Sequence, residues 1–180
     1  LWGVSDVPML TSARFVWEES GYLHIQGTKP QTLGHALADS PLGLASWIVE
    51  KFWSWTDNPA ARQSRSSPFP VPLDMMLTNI MVYWITGTIT SSMRFFRETY
   101  TQPLASVQAA CGTVEAVPAA VAVFPHDPAA QVVWGAPERG AKNKFRDLRQ
   151  LTHMSAGGHF PSLEQPNLLH QDILSFFAKL

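Results

Sequence analysis

The sequence predicts an α/β protein in which a helical first part is followed by the end of a parallel β-sheet. In residues 1–105, apolar side chains recur at helical spacing between polar or proline-rich loops. In residues 106–180, short apolar runs alternate with helical patterns, which is typical of a parallel sheet with crossover helices. Hydrophobic residues make up 46% of the 180 residues and charged residues 15%, as in a packed globular protein. We therefore predict two parts that meet near residue 105.

Proline and hydroxyl side chains mark the predicted helices of the first part. One helix is predicted to begin at Pro30, and a second at Pro41 with Ser40 as its N-cap. After a loop with four prolines, a long helix capped by Asp74 is predicted over residues 75–97. Its apolar segment contains threonines and is shorter than the roughly 20 residues that span a bilayer, so we expect a buried helix.

The second part predicts two strands and a final helix. Residues 119–124 form a short apolar run that ends at Pro125, which is the pattern of a strand buried on both faces. A weaker second strand is predicted within residues 149–155. The last helix is predicted to begin near Pro166 and to present one apolar face to the sheet, made by Leu169, Ile173, Phe176, Phe177 and Leu180.

His159 and Asp127 are the strongest candidates for chemistry. His159 follows two glycines on a loop between the second strand and a helix, and Asp127 follows the end of the first strand. Ligands approach open α/β sheets at this carboxyl edge. The two residues are 32 positions apart, enough for one crossover helix to return the chain to a neighbouring strand. Such a pair can act as the base and orienting carboxylate of a hydrolase, although Asp127 before Pro128 is also suited to capping a helix.

Charge and cysteine content argue against several other classes of function. The formal net charge of −1 gives no electrostatic reason to expect a nucleic-acid partner. The single cysteine, Cys111, cannot form an internal disulfide, and we interpret it as a loop residue and not as a nucleophile. The six histidines and one cysteine show no spacing typical of a metal site. We therefore expect no metal and no other cofactor.

Several linked motifs in this chain resemble the microsomal-type epoxide hydrolases. The motifs occur in the order that the family has, from near Arg14 to the last residue, with a weaker stretch at residues 101–117. They lie at residues 19–30, 38–44, 50–52, 77–84, 86–94, 157–160 and 163–166. The resemblance implies the C-terminal half of an α/β-hydrolase fold. It places a helical cap over residues 1–105, and the last strands and helices of the core over residues 106–180.

The resemblance also implies an activity, the hydrolysis of a small apolar epoxide to a vicinal diol through an ester intermediate. In that chemistry an aspartate attacks an epoxide carbon while two cap tyrosines donate hydrogen bonds to the ring oxygen. A histidine–acid pair then activates the water that cleaves the ester. His159 matches the family's general base, Asp127 its supporting acid and Tyr22 the first of the two tyrosines. The phenol supplies a proton or a strong hydrogen bond to the departing alkoxide, which is otherwise a poor leaving group.

The sequence departs from the family pattern at two places. Phe96 stands where the second tyrosine is expected, and losing one such donor costs on the order of 10²-fold in rate by analogy with an oxyanion hole. Tyr100 lies one helical turn further on and could substitute for it. The nucleophile elbow and the oxyanion loop do not occur in these residues, and we expect both to precede them. Trp84 is among the aromatic residues that could line an apolar pocket.

Two other classes of function stay open. A haloalkane dehalogenase or an esterase shares the fold, but neither needs the phenol donor that Tyr22 supplies. A catalytically degenerate binding protein is favoured by Phe96 and the absent elbow, whereas His159, Asp127 and Tyr22 together favour an enzyme. The expected partner is the missing N-terminal half, without which the chain is expected to form a homodimer or aggregate through an unpaired sheet edge. Location is left open between the cytoplasm and a membrane anchor in the missing half.

Overall fold

A computed structural model describes residues 16–58, 71–103, 105–106, 112–128 and 137–180. These described residues form two compact units, and neither is continuous along the sequence. The unit that we call the helical unit contains residues 16–52 and the described residues between 71 and 106. The other, which we call the sheet unit, contains residues 53–58, 112–128 and 137–180.

The helical unit is built from helices around one hydrophobic core. In the described residues these helices are α1 (Gly21–Thr28), α2 (Pro30–Asp39), α3 (Pro41–Trp55, whose end enters the sheet unit), α4 (Leu73–Thr86) and α5 (Ile89–Thr101). The core consists of Leu37, Leu44, Ile80, Ile89 and Met93. The predicted start of α3 is confirmed, because the Ser40 hydroxyl oxygen accepts a hydrogen bond from the Gly43 N–H at 3.0 Å.

The prediction of one long helix over residues 75–97 is wrong, because two helices occupy this segment. Gly87 ends α4 in the left-handed conformation with a φ of 63°, and its N–H donates to the Trp84 carbonyl at 3.3 Å. Glycine adopts this conformation without the steric cost that a Cβ brings, and it commonly terminates helices. The helix begins at Leu73, so Asp74 lies in the first turn and does not act as the N-cap.

The apolar segment of α4 is buried on one side only. Met76 and Ile80 are buried, whereas Leu77, Val82 and Ile85 are exposed. The expectation of a buried helix is therefore wrong for the face that carries these exposed residues. No helix in the described part of the chain is long and apolar enough to cross a membrane.

The sheet unit contains a parallel pair of strands. Its described elements are β1 (Ala119–Val123), α6 (Pro137–Lys144), β2 (Leu148–His153), α7 (Pro161–Glu164) and α8 (Pro166–Phe177). β1 pairs in parallel with β2, from Ala119 opposite Leu148 to Val123 opposite His153. The two predicted strands are confirmed, and α6 lies between them in sequence. Because the strands are parallel, both end at the same edge of the sheet.

β1 is only partly buried, so the prediction of a strand buried on both faces is wrong. None of its residues is fully buried, and Ala120 is exposed. In the described residues the sheet has two strands, and α8 contacts both of them. Full burial of a parallel strand requires helices on both faces of the sheet.

Polar contacts attach α8 to β2. The Asp172 carboxylate accepts hydrogen bonds from the Gln150 amide at 2.8 Å and from the Thr152 hydroxyl at 2.5 Å. Phe176 is the buried member of the predicted apolar face. The exposed members of that face are Ile173, Phe177 and Leu180. Helix α8 is therefore fixed to the sheet partly by hydrogen bonds, while much of its apolar surface is open.

Candidate active site

The loops that follow β1 and β2 lie against each other at the carboxyl edge of the sheet. The Met154 N–H donates to the Val123 carbonyl at 2.9 Å, and the His126 N–H donates to the Gly157 carbonyl at 3.1 Å. These bonds hold the segment after β1 beside the segment that leads into α7. The carboxyl edge of an open α/β sheet is where ligands bind.

His159 and Asp127 meet at this edge. His159 Nδ1 lies 2.9 Å from Asp127 Oδ1, and the two side chains are 34% and 24% exposed. With Nδ1–H donating to the carboxylate, Nε2 is the ring nitrogen that can accept a proton. The carboxylate also stabilises the imidazolium that proton transfer creates. The pair therefore has the geometry of a general base with its orienting acid.

Two aromatic rings pack against the His159 imidazole. The Trp55 ring meets it edge-to-face at a centroid distance of 4.7 Å, and the Phe160 ring does so at 5.1 Å. The Trp55 carbonyl also accepts a hydrogen bond from the His159 N–H at 2.8 Å. The histidine is thus held through its backbone and its ring, in surroundings that suit an apolar ligand.

The Glu164 carboxylate accepts hydrogen bonds from three backbone N–H groups. Oε2 accepts those of Asp57 at 2.6 Å and Gly158 at 3.0 Å, and Oε1 accepts that of Phe160 at 2.8 Å. Hydrogen bonds to an ionised acceptor are roughly twice as strong as those between neutral groups. Since Asp57 and Glu164 are 107 positions apart in sequence, one carboxylate joins the segment after α3 to the loop that carries His159.

The Asp57 side chain also contacts the loop that carries His159. Its Oδ2 accepts a hydrogen bond from the Gly157 N–H at 3.1 Å, and its Oδ1 lies 3.5 Å from His126 Nε2. Sequence reasoning missed both Asp57 and Glu164. Two weak signals were available in the sequence. Glu164 stands in one of the motifs that resemble the family, and Asp57 directly follows a predicted helix. Neither position in the sequence indicates that Asp57 and Glu164 are in contact in the fold.

The two glycines before His159 are required by their surroundings. Gly157 has a φ of 111°, and a Cβ there would lie 2.8 Å from Phe124 Cδ1. A Cβ on Gly158 would lie 2.7 Å from the Trp55 carbonyl oxygen and from the Asp57 nitrogen. Backbone therefore touches backbone at Gly158, and only glycine permits that approach.

Tyr22 lies on α1 of the helical unit. Its ring meets the Phe96 ring edge-to-face at 5.9 Å, so the structure brings these two predicted site residues together. Lys51 Nζ lies 5.2 Å from the centroid of the Tyr22 ring and donates to Glu19 Oε2 at 2.7 Å. Burial raises the pKa of the Tyr22 phenol above its ordinary value of 10.0, and Tyr100 and Glu19 raise it further. The surroundings of Tyr22 thus favour the protonated phenol over the phenolate.

The remaining predicted residues have different surroundings. Trp84 on α4 is partly buried and packs against the core of the helical unit. Tyr100 on α5 is 60% exposed, and its ring lies against Gly27, where a Cβ would be 2.9 Å from the ring atom Cδ2. Cys111 lies outside the described residues. Within the described ranges, no group of three or more His, Cys, Asp or Glu residues could hold a metal ion.

The known proteins whose sequences are similar to this chain include epoxide hydrolases. The chain is 45% identical over 164 residues to epoxide hydrolase 1 of Sus scrofa, covering 90% of this chain and 35% of that protein. It is 43% identical over 165 residues to juvenile hormone epoxide hydrolase 2 of Ctenocephalides felis, covering 90% of this chain and 34% of that protein. No protein-family model matches. The chain thus spans about a third of the length of these curated relatives.

The solved structures that are similar to this chain are also epoxide hydrolases. The chain is similar to the crystal structure of juvenile hormone epoxide hydrolase from Bombyx mori, with a TM-score of 0.78 and 30% identity, covering 96% of this chain and 39% of that one. It is also similar to the epoxide hydrolase of Aspergillus niger, with a TM-score of 0.70 and 25% identity over 95% of this chain and 38% of that one. The α/β-hydrolase fold predicted from the sequence is confirmed.

Proposed function

We infer that this chain carries three functional groups of an enzyme that converts apolar epoxides to vicinal diols. These groups are the general base, its supporting acid and a phenol donor. The chain is a homologue of the epoxide hydrolases and shares their α/β-hydrolase fold. The observation that carries the proposal is the 2.9 Å contact between His159 Nδ1 and Asp127 Oδ1 at the carboxyl edge of a parallel sheet. We assign the cap to the helical unit and the core to the sheet unit. The nucleophilic aspartate belongs to the two thirds of the relatives' length that this chain does not span.

The first step of the proposed reaction forms an ester. A carboxylate oxygen of the nucleophilic aspartate bonds to one epoxide carbon, and the bond from that carbon to the ring oxygen breaks. The electron pair stays on the ring oxygen, which takes a proton from the Tyr22 phenol. The alkoxide that develops is far more basic than a phenolate, so a phenol beside it can transfer its proton even with a pKa raised by burial.

The second step releases the diol. His159 Nε2 removes a proton from water, and the water oxygen bonds to the ester carbonyl carbon. The ester carbon–oxygen bond then breaks, and the departing alkoxide takes the proton from His159. The carboxylic acid that forms loses its proton, which reprotonates Tyr22 through solvent. Asp127 stabilises His159 while the imidazole carries the extra proton.

A catalytically degenerate binding protein is the second candidate, and Phe96 favours it. Because Phe96 cannot donate a hydrogen bond, the epoxide oxygen receives one phenol where two are expected, at a cost on the order of 10²-fold in rate. The complete His159–Asp127 contact favours the enzyme, because a binding protein has no need of an oriented base.

The test is diol formation from styrene oxide, an aryl epoxide. It uses the 180 residues alone and the longest natural chain that contains them, which we call the parent chain. We expect the parent chain to form the diol, its His159→Ala variant to lose turnover, and the 180 residues alone to be inactive. A folded parent chain with an elbow aspartate but no turnover would support the binding protein. Turnover by the 180 residues alone would show that the nucleophile lies within them.

A further inference from the structure

Four consecutive backbone N–H groups in the loop that carries His159 all have identified acceptors. Gly157 donates to Asp57 Oδ2, Gly158 to Glu164 Oε2, His159 to the Trp55 carbonyl and Phe160 to Glu164 Oε1. Three of these acceptors are carboxylate oxygens, supplied by Asp57 and Glu164. The position of this loop is therefore set by two side chains that do not belong to the His159–Asp127 pair.

Glu164 is the centre of this arrangement. Its Oε2 accepts the Asp57 N–H as well as the Gly158 N–H, so one oxygen joins the two segments that meet at the His159 loop. The two segments also pack backbone against backbone at Gly158, where a Cβ would be 2.7 Å from the Asp57 nitrogen. The 3.5 Å contact between Asp57 Oδ1 and His126 Nε2 extends the connection to the neighbour of Asp127.

We propose that Glu164 and Asp57 are positioning residues that hold His159 where it can activate the hydrolytic water. The proposal rests on the proposed function. Neither residue touches the imidazole in these contacts, so each acts through the backbone of residues 157–160. A displacement of about 1 Å in a reacting group can cost on the order of 10²-fold in rate. A loop held by two carboxylates prevents such a displacement.

A role in positioning has a signature that a general loss of stability does not have. His159 is needed when water attacks the ester, whereas the ester itself forms by attack of the aspartate with help from a phenol. A displaced His159 therefore slows the second step and leaves the first. The ester intermediate then accumulates on the enzyme.

The experiment uses Glu164→Gln in the parent chain with styrene oxide. The variant keeps the size of the side chain but turns an amide NH₂ towards backbone N–H groups, so at least one of them loses its acceptor. We expect the rate of ester hydrolysis to fall on the order of 10²-fold while ester formation keeps the rate of the parent chain. Mass spectrometry of the intact protein after rapid quenching then shows the epoxide adduct, as it does for His159→Ala.

Glu138→Gln is the matched control. Glu138 makes a surface contact with His153 at 3.0 Å, with both side chains more than half exposed, and lies outside the His159 loop. This variant is expected to turn over like the parent chain without adduct. If Glu164→Gln does not fold, as judged by its thermal transition, Asp57→Asn replaces it, because the remaining amide oxygen can still accept the Gly157 N–H. Its adduct is expected to be smaller but above that of the control.

The outcomes separate this proposal from the proposed function. If the parent chain forms neither diol nor adduct, the proposed function fails. If the parent chain is active and His159→Ala accumulates the adduct, but the folded Glu164→Gln variant does not, the positioning role is overturned. An equal slowing of both steps in that variant also overturns it, since that result indicates only a smaller folded fraction.

Discussion

At the scale of the residue, Phe96 offers a gain-of-function test. The Phe96 ring meets the Tyr22 ring edge-to-face at a centroid distance of 5.9 Å, so Phe96→Tyr places a second phenol ring beside the one that we assign to the epoxide oxygen. We predict that Phe96→Tyr in the parent chain raises kcat for styrene oxide by up to about 10²-fold, because a second donor strengthens with the developing alkoxide. Steady-state kinetics of diol formation measures this change.

The control is Phe95→Tyr, which adds the same hydroxyl to a neighbouring ring that is 73% exposed. It is expected to leave kcat unchanged. The alternative donor is Tyr100. If Phe96→Tyr has no effect and Tyr100→Phe lowers kcat, the second phenol is already present at Tyr100 and the prediction for Phe96 is wrong.

Tyr22 carries a prediction for the pH dependence of stability. Burial, with Tyr100 and Glu19, raises the pKa of Tyr22 in the folded protein above 10.0. As the pH rises past 10.0, the unfolded chain gives up this proton before the folded chain does, so the free energy of unfolding decreases. At lower pH both states keep the proton and the contribution does not change. We predict a steeper alkaline loss of stability in the parent chain than in Tyr22→Phe.

Urea unfolding of both proteins at neutral pH and above pH 10.0 checks this prediction, with the neutral values as the baseline. A difference between the two proteins that stays constant with pH would contradict it. Spectroscopic titration of tyrosinate gives a second observation. A phenol that ionises above pH 10.0 in the folded parent chain should be missing from the Tyr22→Phe variant.

At the scale of the element, the close packing of α2 against α5 depends on Gly34. A Cβ there would lie 2.6 Å from the Thr90 hydroxyl oxygen and 2.8 Å from Thr90 Cγ2. We predict that Gly34→Ala lowers the free energy of unfolding by about 1–3 kcal/mol, because the helices must separate or Thr90 must leave its rotamer. This cost exceeds the gain in helix propensity of roughly 1 kcal/mol that replacing glycine by alanine brings.

A double-mutant cycle isolates this contact. Thr90→Ala removes the two nearest atoms that the new methyl group would meet and leaves the Thr90 Cβ at 3.0 Å, so Gly34→Ala should cost much less in that background. Gly21→Ala is the control, because a Cβ at Gly21 has no neighbour within 4 Å. If Gly34→Ala costs the same in both backgrounds, α2 and α5 are not held together at this position.

The elements were predictable from the sequence where a local signal decides them. Pro30, Ser40 and Pro166 stand at the helix starts they predicted, and both strands were found from their apolar runs. The break at Gly87 was missed because a glycine within an apolar run is also tolerated in a helix interior, and the left-handed φ is visible only in the structure. Glu164 was missed for another reason. Its role depends on Asp57, which is 107 positions away.

At the scale of the whole molecule, burial patterns were the least predictable property. The sequence predicted a strand buried on both faces, a buried helix over residues 75–97 and an apolar face of the last helix packed on the sheet. In the structure β1 is partly buried, one side of α4 is open, and the exposed apolar residues of α8 include Ile173 and Phe177. A hydrophobic pattern indicates that a surface is suited to burial, but the element that covers this surface can belong to another part of the protein. The relatives are more than twice as long as this chain, so such a neighbour can belong to the part of the fold that this chain does not span.

These exposed surfaces predict how the 180 residues behave when produced alone. In the described part of the chain β1 and β2 pair only with each other, and α8 exposes Phe177 by 64%. Open strand edges and apolar faces favour association. We predict that the isolated chain dimerises or aggregates in sedimentation velocity, and that Phe177→Lys reduces this association. In the parent chain the same substitution should lower the melting temperature, because there the residue would be covered. A monomeric isolated chain that unfolds cooperatively, together with an unchanged parent, would mean that these apolar surfaces face solvent in the whole protein.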